Sequence, residues 1–307
     1  MLVDRAPRHL VDVGSMPLAM LADLRAIVAA EARGSRRAAG LSAPVALLCA
    51  SRAPYVRAQV AAAAASWGRS LEVFGPDDVA LLGEPSHAAA RLSAGFAAFV
   101  LVGMESATIA EWAAAASVPV VDGGGADGDP AGALADLFLI ERAAGSLVGR
   151  RLAWIGDSSG LLADLLAVGG AFGLNVGIAH PRGFAPPAEL LTRGRDRAAM
   201  TGAAVHAGPE LEEALVDADA VHVEPFPPLG GGVDDRFRPY ALHRHLLRGA
   251  RPHVIVLHPA PERRGAELSQ GLAEEFAPVF VAQHRARIAA FAALLGVATG
   301  EMALLSW

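Results

Sequence analysis

Lysine is missing altogether: the 26 basic residues of this 307-residue chain are all arginine. That absence excludes a Schiff-base lysine, a phosphate-loop lysine and a lysine general base. The arginine-for-lysine and alanine-rich usage reads first as genomic base composition. Cysteine occurs once, at Cys49, so neither an intrachain disulfide nor a cysteine-based metal site is expected. Positive charge is in deficit, 26 basic against 32 acidic residues for a net charge of −6, which argues against a nucleic-acid partner. Apolar runs are broken by charge well short of the ~18–20 residues of a membrane span. Residues 1–10 carry charge and lack the apolar centre of a signal peptide, so a cytoplasmic protein with no membrane partner is expected. No G-x-G-x-x-G fingerprint follows the first strand of either candidate domain. Nucleotide-binding and oxidoreductase readings therefore come last, and no cofactor is expected.

Hydrophobic residues make up 53% of the chain and charged ones 19%, ample for a buried core. Short β-type runs at 45–49, 71–74, 99–102, 118–121, 152–155, 176–179, 203–206, 220–223 and 254–257 alternate with Ala/Leu-rich stretches of helical length. Most are continuously apolar, as in parallel strands covered on both faces. So many strands exceed one comfortable sheet, and the glycine-rich segment 123–129 marks a break. A helix is predicted over 130–145, with Pro130 in its first turn, and a second alternation starts at Arg151. The predicted fold class is α/β: two doubly wound parallel-sheet domains joined by an interdomain helix. A C-terminal helix over 283–295 returns to the first domain. Ligands bind at the carboxyl ends of strands in such sheets, so segments 50–57, 103–105, 123–132, 156–160, 224–232 and 258–265 are the places to look.

Those segments carry a family resemblance. The opening RHLVDV at 8–13, the stretch ALADLFLIERAAGSLVGRRLAWIGD at 133–157, DADAVHVE at 217–224, RFRPYAL at 236–242 and HPAPERRG at 258–265 follow one another in the order seen in the aspartate/ornithine carbamoyltransferase family. The last resembles the aspartate-type HPxPxNRG. The resemblance implies a carbamoyl-phosphate-type domain over 1–138 plus 284–307 and an amino-acid (acceptor)-type domain over 139–283. It further implies a homotrimer that binds a small amino-acid-like ligand. The family's chemistry is attack of an amine on a carbonyl, with His258 and arginine groups stabilising the oxyanion.

The chain departs from the family where the donor should sit. The STRTR turn that cradles carbamoyl phosphate falls on Ala53-Pro54-Tyr55-Val56-Arg57, and a two-residue shift would instead bring in Ser51 and Arg52. The R-H after the third strand falls on Gly103-Met104, and HPxQ falls on Asp129-Pro130-Ala131-Gly132. A hydrogen bond to a charged group is worth about 1.5–3 kcal/mol. Losing two Arg contacts, the His and the Gln removes roughly 6 kcal/mol or more, at least about ten-thousand-fold in affinity. Asp129 adds a carboxylate that would repel a phosphate. The donor-binding candidates that remain are Arg52, Arg57 and Arg264, with His258 and Arg264 as catalytic candidates.

On the acceptor side the ornithine-type GDGNN turn reads Gly156-Asp157-Ser158-Ser159-Gly160, and DxWxSMG falls on residues 224–230. Asp157, Ser159, Gly160, Glu224 and Leu229 are the acceptor-binding candidates. Glu224 keeps an acid where an amine would be read, so an amine-bearing ligand fits better than aspartate. Each candidate has a plainer reading. Arg57 and Arg264 suit ion pairs as well as an anion, and Asp129 suits a helix cap. Glu224 suits a pair with Arg236 or Arg238, and the Pro- and Gly-rich loop 225–232 suits a plain loop as well as a lid. The scattered histidines, His222 among them, give no metal spacing. Two functions from different classes follow: a divergent transferase with a different or weakly bound donor, or a non-catalytic partner on the same scaffold.

Overall fold

Continuous apolar runs become buried parallel strands because helices cover them on both faces. The computed structural model describes residues 9–33, 43–51, 53–125, 127–229, 232–259, 261 and 265–304. They form two compact units, one from the described residues up to Ala135 together with those from Arg285 onward, the other Asp136–His284.

The first unit contains α1 (Leu18–Ala32), β1 (Val45–Cys49), α2 (Pro54–Ser66), β2 (Leu71–Phe74), α3 (Pro76–Leu81), α4 (Pro85–Leu92), β3 (Ala98–Val102), α5 (Ser106–Ala115) and β4 (Val120–Asp122). Its parallel sheet has the order β2-β1-β3-β4. Every residue of β1 and β3 is buried. Alanine, the strongest helix former, fills much of α2. Trp67, which ends α2, is buried and donates its indole N–H to Ala292 O at 2.8 Å.

Helix α6 (Pro130–Ala144) leads into β5 (Arg151–Ile155), α7 (Gly160–Asp164), β6 (Asn175–Ala179), α8 (Ala188–Ala199), β7 (Val205–Gly208), α9 (Leu211–Leu215) and β8 (Ala220–Val223). A short hairpin of β9 (Pro228–Leu229) and β10 (Gly232–Val233) precedes β11 (Ile255–Leu257) and the long α10 (Gln270–Ala298). The parallel sheet of the second unit runs β11-β8-β5-β6-β7. The unit boundaries fall inside α6 and α10, so each helix contributes to both units.

All the strand runs expected from the sequence form strands, with ends displaced by up to two residues. Two local expectations need correction. The last helix begins at Gln270, not residue 283, because α10 carries Pro278 in its interior and two adjacent acids, Glu274 and Glu275, before it. Proline removes one intrahelical hydrogen bond but does not end a helix held by packing. The segment 225–232 is not a plain loop, since it includes β9 and the start of β10.

Candidate functional site

In each of the two parallel sheets the strand order reverses at one place, and that is where an open α/β sheet leaves a crevice at its carboxyl edge. In the first unit the reversal lies between β1 and β3. Gly103, just past β3, has φ +71, and a Cβ there would stand 2.7 Å from Ser51 Oγ just past β1. Arg57 lies in the first turn of α2 and is exposed, and α2 has no side-chain cap at its N-terminus. Burial pushes the Cys49 thiol up, and the nearby Arg57 charge opposes this. A cavity of about 220 Å³ beside these strand ends is lined by Ala50, Val79, Leu82, Pro85, Met104 and Trp112 among others, and among the described residues no charged side chain lines it. Arg52 and Arg264 lie outside the described residues.

Asp129 is not a bare charge aimed at a phosphate. It accepts from Gly132 N at 2.9 Å at the start of α6 and pairs with Arg287 Nη2 of α10 at 2.8 Å. This pairing corrects the expected repulsion, because a partner arginine cancels most of the carboxylate's field. Nearby Asp122, buried at the end of β4, holds Gly124 N at 2.8 Å. Burial pushes its carboxyl up to about 7; the Gly124 hydrogen bond opposes the rise, and Asp129, Asp127 and Asp12 add to it. Above that pH the folded chain keeps a poorly solvated anion, so stability falls as pH rises from the usual carboxylate range through 7. Asp122→Asn preserves an oxygen for Gly124 and removes the charge. It is expected to stabilise the protein by about 2 kcal/mol near pH 8 and by less near pH 5, measured by urea unfolding.

In the second unit the reversal lies between β5 and β8, and the acceptor candidates collect there. Gly156 follows β5 with φ +131, and a Cβ on it would stand 2.9 Å from Glu224 Cβ, which follows β8. Asp157 accepts the Trp154 indole N–H through its carbonyl at 3.0 Å and caps Ser158 N at 2.7 Å. Ser159 and Gly160 open α7. Leu229 is exposed on the β9–β10 hairpin.

Glu224 pairs with neither Arg236 nor Arg238, which are held by Asp234 and Asp235 respectively. Its partner is His222, whose Nε2 lies 3.3 Å from Glu224 Oε2. The other ring nitrogen, Nδ1, lies 2.7 Å from Asp136 Oδ2. Asp136 also accepts from Gln283 Nε2 at 2.7 Å, and Gln283 Oε1 accepts from the backbone N–H of His258 at 3.0 Å. A buried hydrogen-bonded chain thus joins Glu224, by way of His222, Asp136 and Gln283, to the end of β11. His258 itself is buried; its Nδ1 donates to Pro259 O at 2.6 Å, and Nε2 lies 3.9 Å from Glu267 Oε2.

His222, Asp136 and Gln283 were not singled out as site residues by the sequence. His222 and Glu224 are two apart on a strand and so share a face, which is a readable signal. Asp136 is 86 residues away from His222 and has no local signature. Among the described residues no group of histidine, cysteine and carboxylate side chains is arranged to hold a metal, and no helix is long and apolar enough to cross a membrane.

Three comparisons bear on this geometry. A family model described as "Aspartate/ornithine carbamoyltransferase, Asp/Orn binding domain" matches residues 148–298. The ornithine carbamoyltransferase of Prochlorococcus marinus (strain MIT 9313) is 31% identical over 229 residues, 72% of this chain and 71% of that protein. That of Rhodococcus opacus (strain B4) is 36% identical over 163 residues, 51% of this chain and 52% of that protein. These alignments therefore span between about half and about seven-tenths of the relatives' own lengths. The solved structure of ornithine carbamoyltransferase from Pyrococcus furiosus superposes with a TM-score of 0.89 at 22% identity, covering 97% of this chain and 99% of that one, a likeness of fold.

Proposed function

Because the chain belongs to the aspartate/ornithine carbamoyltransferase family, we propose that it transfers a carbamoyl-type group to an amino acid bearing a side-chain amine. The observation that carries this is the place of Glu224: a carboxylate at the strand-order reversal of the Asp136–His284 unit, with Gly156 leaving room beside it. A primary amine recognised there attacks the carbonyl carbon of the donor. The amine gives up a proton to the leaving group, which departs with the electron pair of its bond to carbon. His258 and Arg264 are the proposed groups for the oxyanion, and Asp157, Ser159, Gly160 and Leu229 the proposed remainder of the acceptor site.

The donor is proposed to be carbamoyl phosphate bound weakly, or a different carbamoyl donor. Support comes from the exposed position of Arg57 and from the lining of the cavity beside β1 and β3, which among the described residues carries no charge. The assembly is proposed to be a homotrimer. Carbamoyl phosphate supplied with ornithine, aspartate and other amines tests the proposal through the carbamoylated product. Expected is product from ornithine-like amines, with half-saturation by carbamoyl phosphate above about 1 mM, the upper end of common KM values. Glu224→Gln is expected to lower kcat/KM for the amine about 100-fold, the worth of one charge-assisted hydrogen bond. No product from any amine overturns the transfer reaction. The second reading, a non-catalytic partner, draws on the same thin donor site, and it predicts that neither small anions nor amino acids raise the melting temperature.

A further inference from the structure

Strand β8 reads Ala-Val-His-Val, and its one polar side chain has no exposure to solvent. The His222 ring lies flat against the Trp154 indole, with centroids 4.4 Å apart and planes 3° from parallel. Each of its nitrogens faces a carboxylate, Asp136 at 2.7 Å and Glu224 at 3.3 Å. A neutral imidazole has one N–H and satisfies only one of these oxygens; an imidazolium satisfies both. The neighbours in register on the flanking strands, Trp154 of β5 and Leu257 of β11, carry no charge. From α6 the facing group is Asp136, and from α10 it is Gln283, which touches Asp136. Two carboxylates whose side chains are 1% and 16% exposed thus share this one cation. Burial opposes its charge, but the hydrogen bonds and charges of Asp136 and then Glu224 outweigh that and raise its pKa to about 9.

We propose that His222 is a positioning residue for acceptor recognition: as an imidazolium held between Asp136 and Glu224, it fixes the Glu224 carboxylate at the strand end for the ligand. This rests on the proposal that Glu224 meets the acceptor amine.

The clamp is tested without any turnover by nuclear magnetic resonance of ring-labelled histidine, with His222→Gln used to assign the signal. Expected is a doubly protonated His222 ring at neutral pH that titrates near 9, and a midpoint lowered by about one unit or more in Glu224→Gln. A ring already neutral at pH 7, or a midpoint indifferent to Glu224→Gln, overturns the clamp. The recognition role is tested by kinetics. His222→Gln should raise KM for ornithine about tenfold or more and leave kcat within about threefold. It should add nothing further in a Glu224→Gln background. Additive effects, or a fall in kcat at constant KM, overturn the role. Should the wild-type protein neither bind nor use ornithine while the resonance coupling stands, the acceptor proposal fails and the clamp survives; loss of the coupling alone fails the clamp.

Discussion

Asp136→Ala is expected to lower the free energy of unfolding by about 3–5 kcal/mol, the cost of removing one partner from a buried ion pair. The cost is high because two buried groups lose their acceptor together. His222 would keep an imidazolium with no carboxylate at Nδ1, and Gln283 would keep an unpaired amide hydrogen, all at positions the solvent does not reach. Losing Gln283's anchor also loosens its hold on the backbone N–H of His258. Asp136→Asn is the milder companion: it retains an oxygen and the shape but deletes the charge. Equilibrium urea unfolding measures both, and a change below about 1 kcal/mol for Asp136→Ala would show that the network is not buried as described.

Stability is expected to fall by about 3 kcal/mol as pH rises from 6.5 to 9.5, through the deprotonation of His222. The sign follows from the direction of the shift. Its folded pKa stands at about 9, above the ordinary 6.5, so the folded state holds a proton that the unfolded state has released. The contribution is complete below 6.5 and is lost as pH passes through 9. The chain's lack of lysine makes the window unusually clear. Inside that range lie the chain's amino terminus and Cys49, whose thiol burial pushes up; the other histidines have their ordinary pKa at its lower edge, and Asp122 contributes near 7. Urea unfolding across that range, repeated with Asp136→Asn and with Cys49→Ala, measures it. The slope should flatten in Asp136→Asn and persist in Cys49→Ala; a stability that stays level or rises with pH contradicts a charged His222.

The strands were legible because burial on both faces writes itself as an unbroken apolar run, as in Val45–Cys49, where all five residues are buried. The start of α10 was not, since Pro278 and the acids at 274 and 275 imitate a helix boundary that tertiary packing overrides. The β9–β10 hairpin hid inside a Pro- and Gly-rich segment that has the composition of any loop. At the site, Gly156 and Glu224 could be found because strand ends and glycine punctuation are local signals. The partner of Glu224 could not. Arg236 and Arg238 were the nearest cations in sequence, yet each is taken by its own neighbour, Asp234 or Asp235. The true partner, His222, depends on Asp136 and Gln283, and only the folded helices α6 and α10 bring those to it. Asp129 was legible as a cap, but Arg287, 158 residues away, was not visible as its counter-charge.

Calorimetric titration with ornithine and with the amino acid of the same shape in which a methyl replaces the side-chain amine compares ligands that differ only at the group Glu224 is assigned to read. Expected is ornithine binding that is tighter than its isostere by about tenfold or more, with the difference abolished in Glu224→Gln. Equal affinities for the two ligands, or a preference that survives Glu224→Gln, would contradict a site built around that carboxylate.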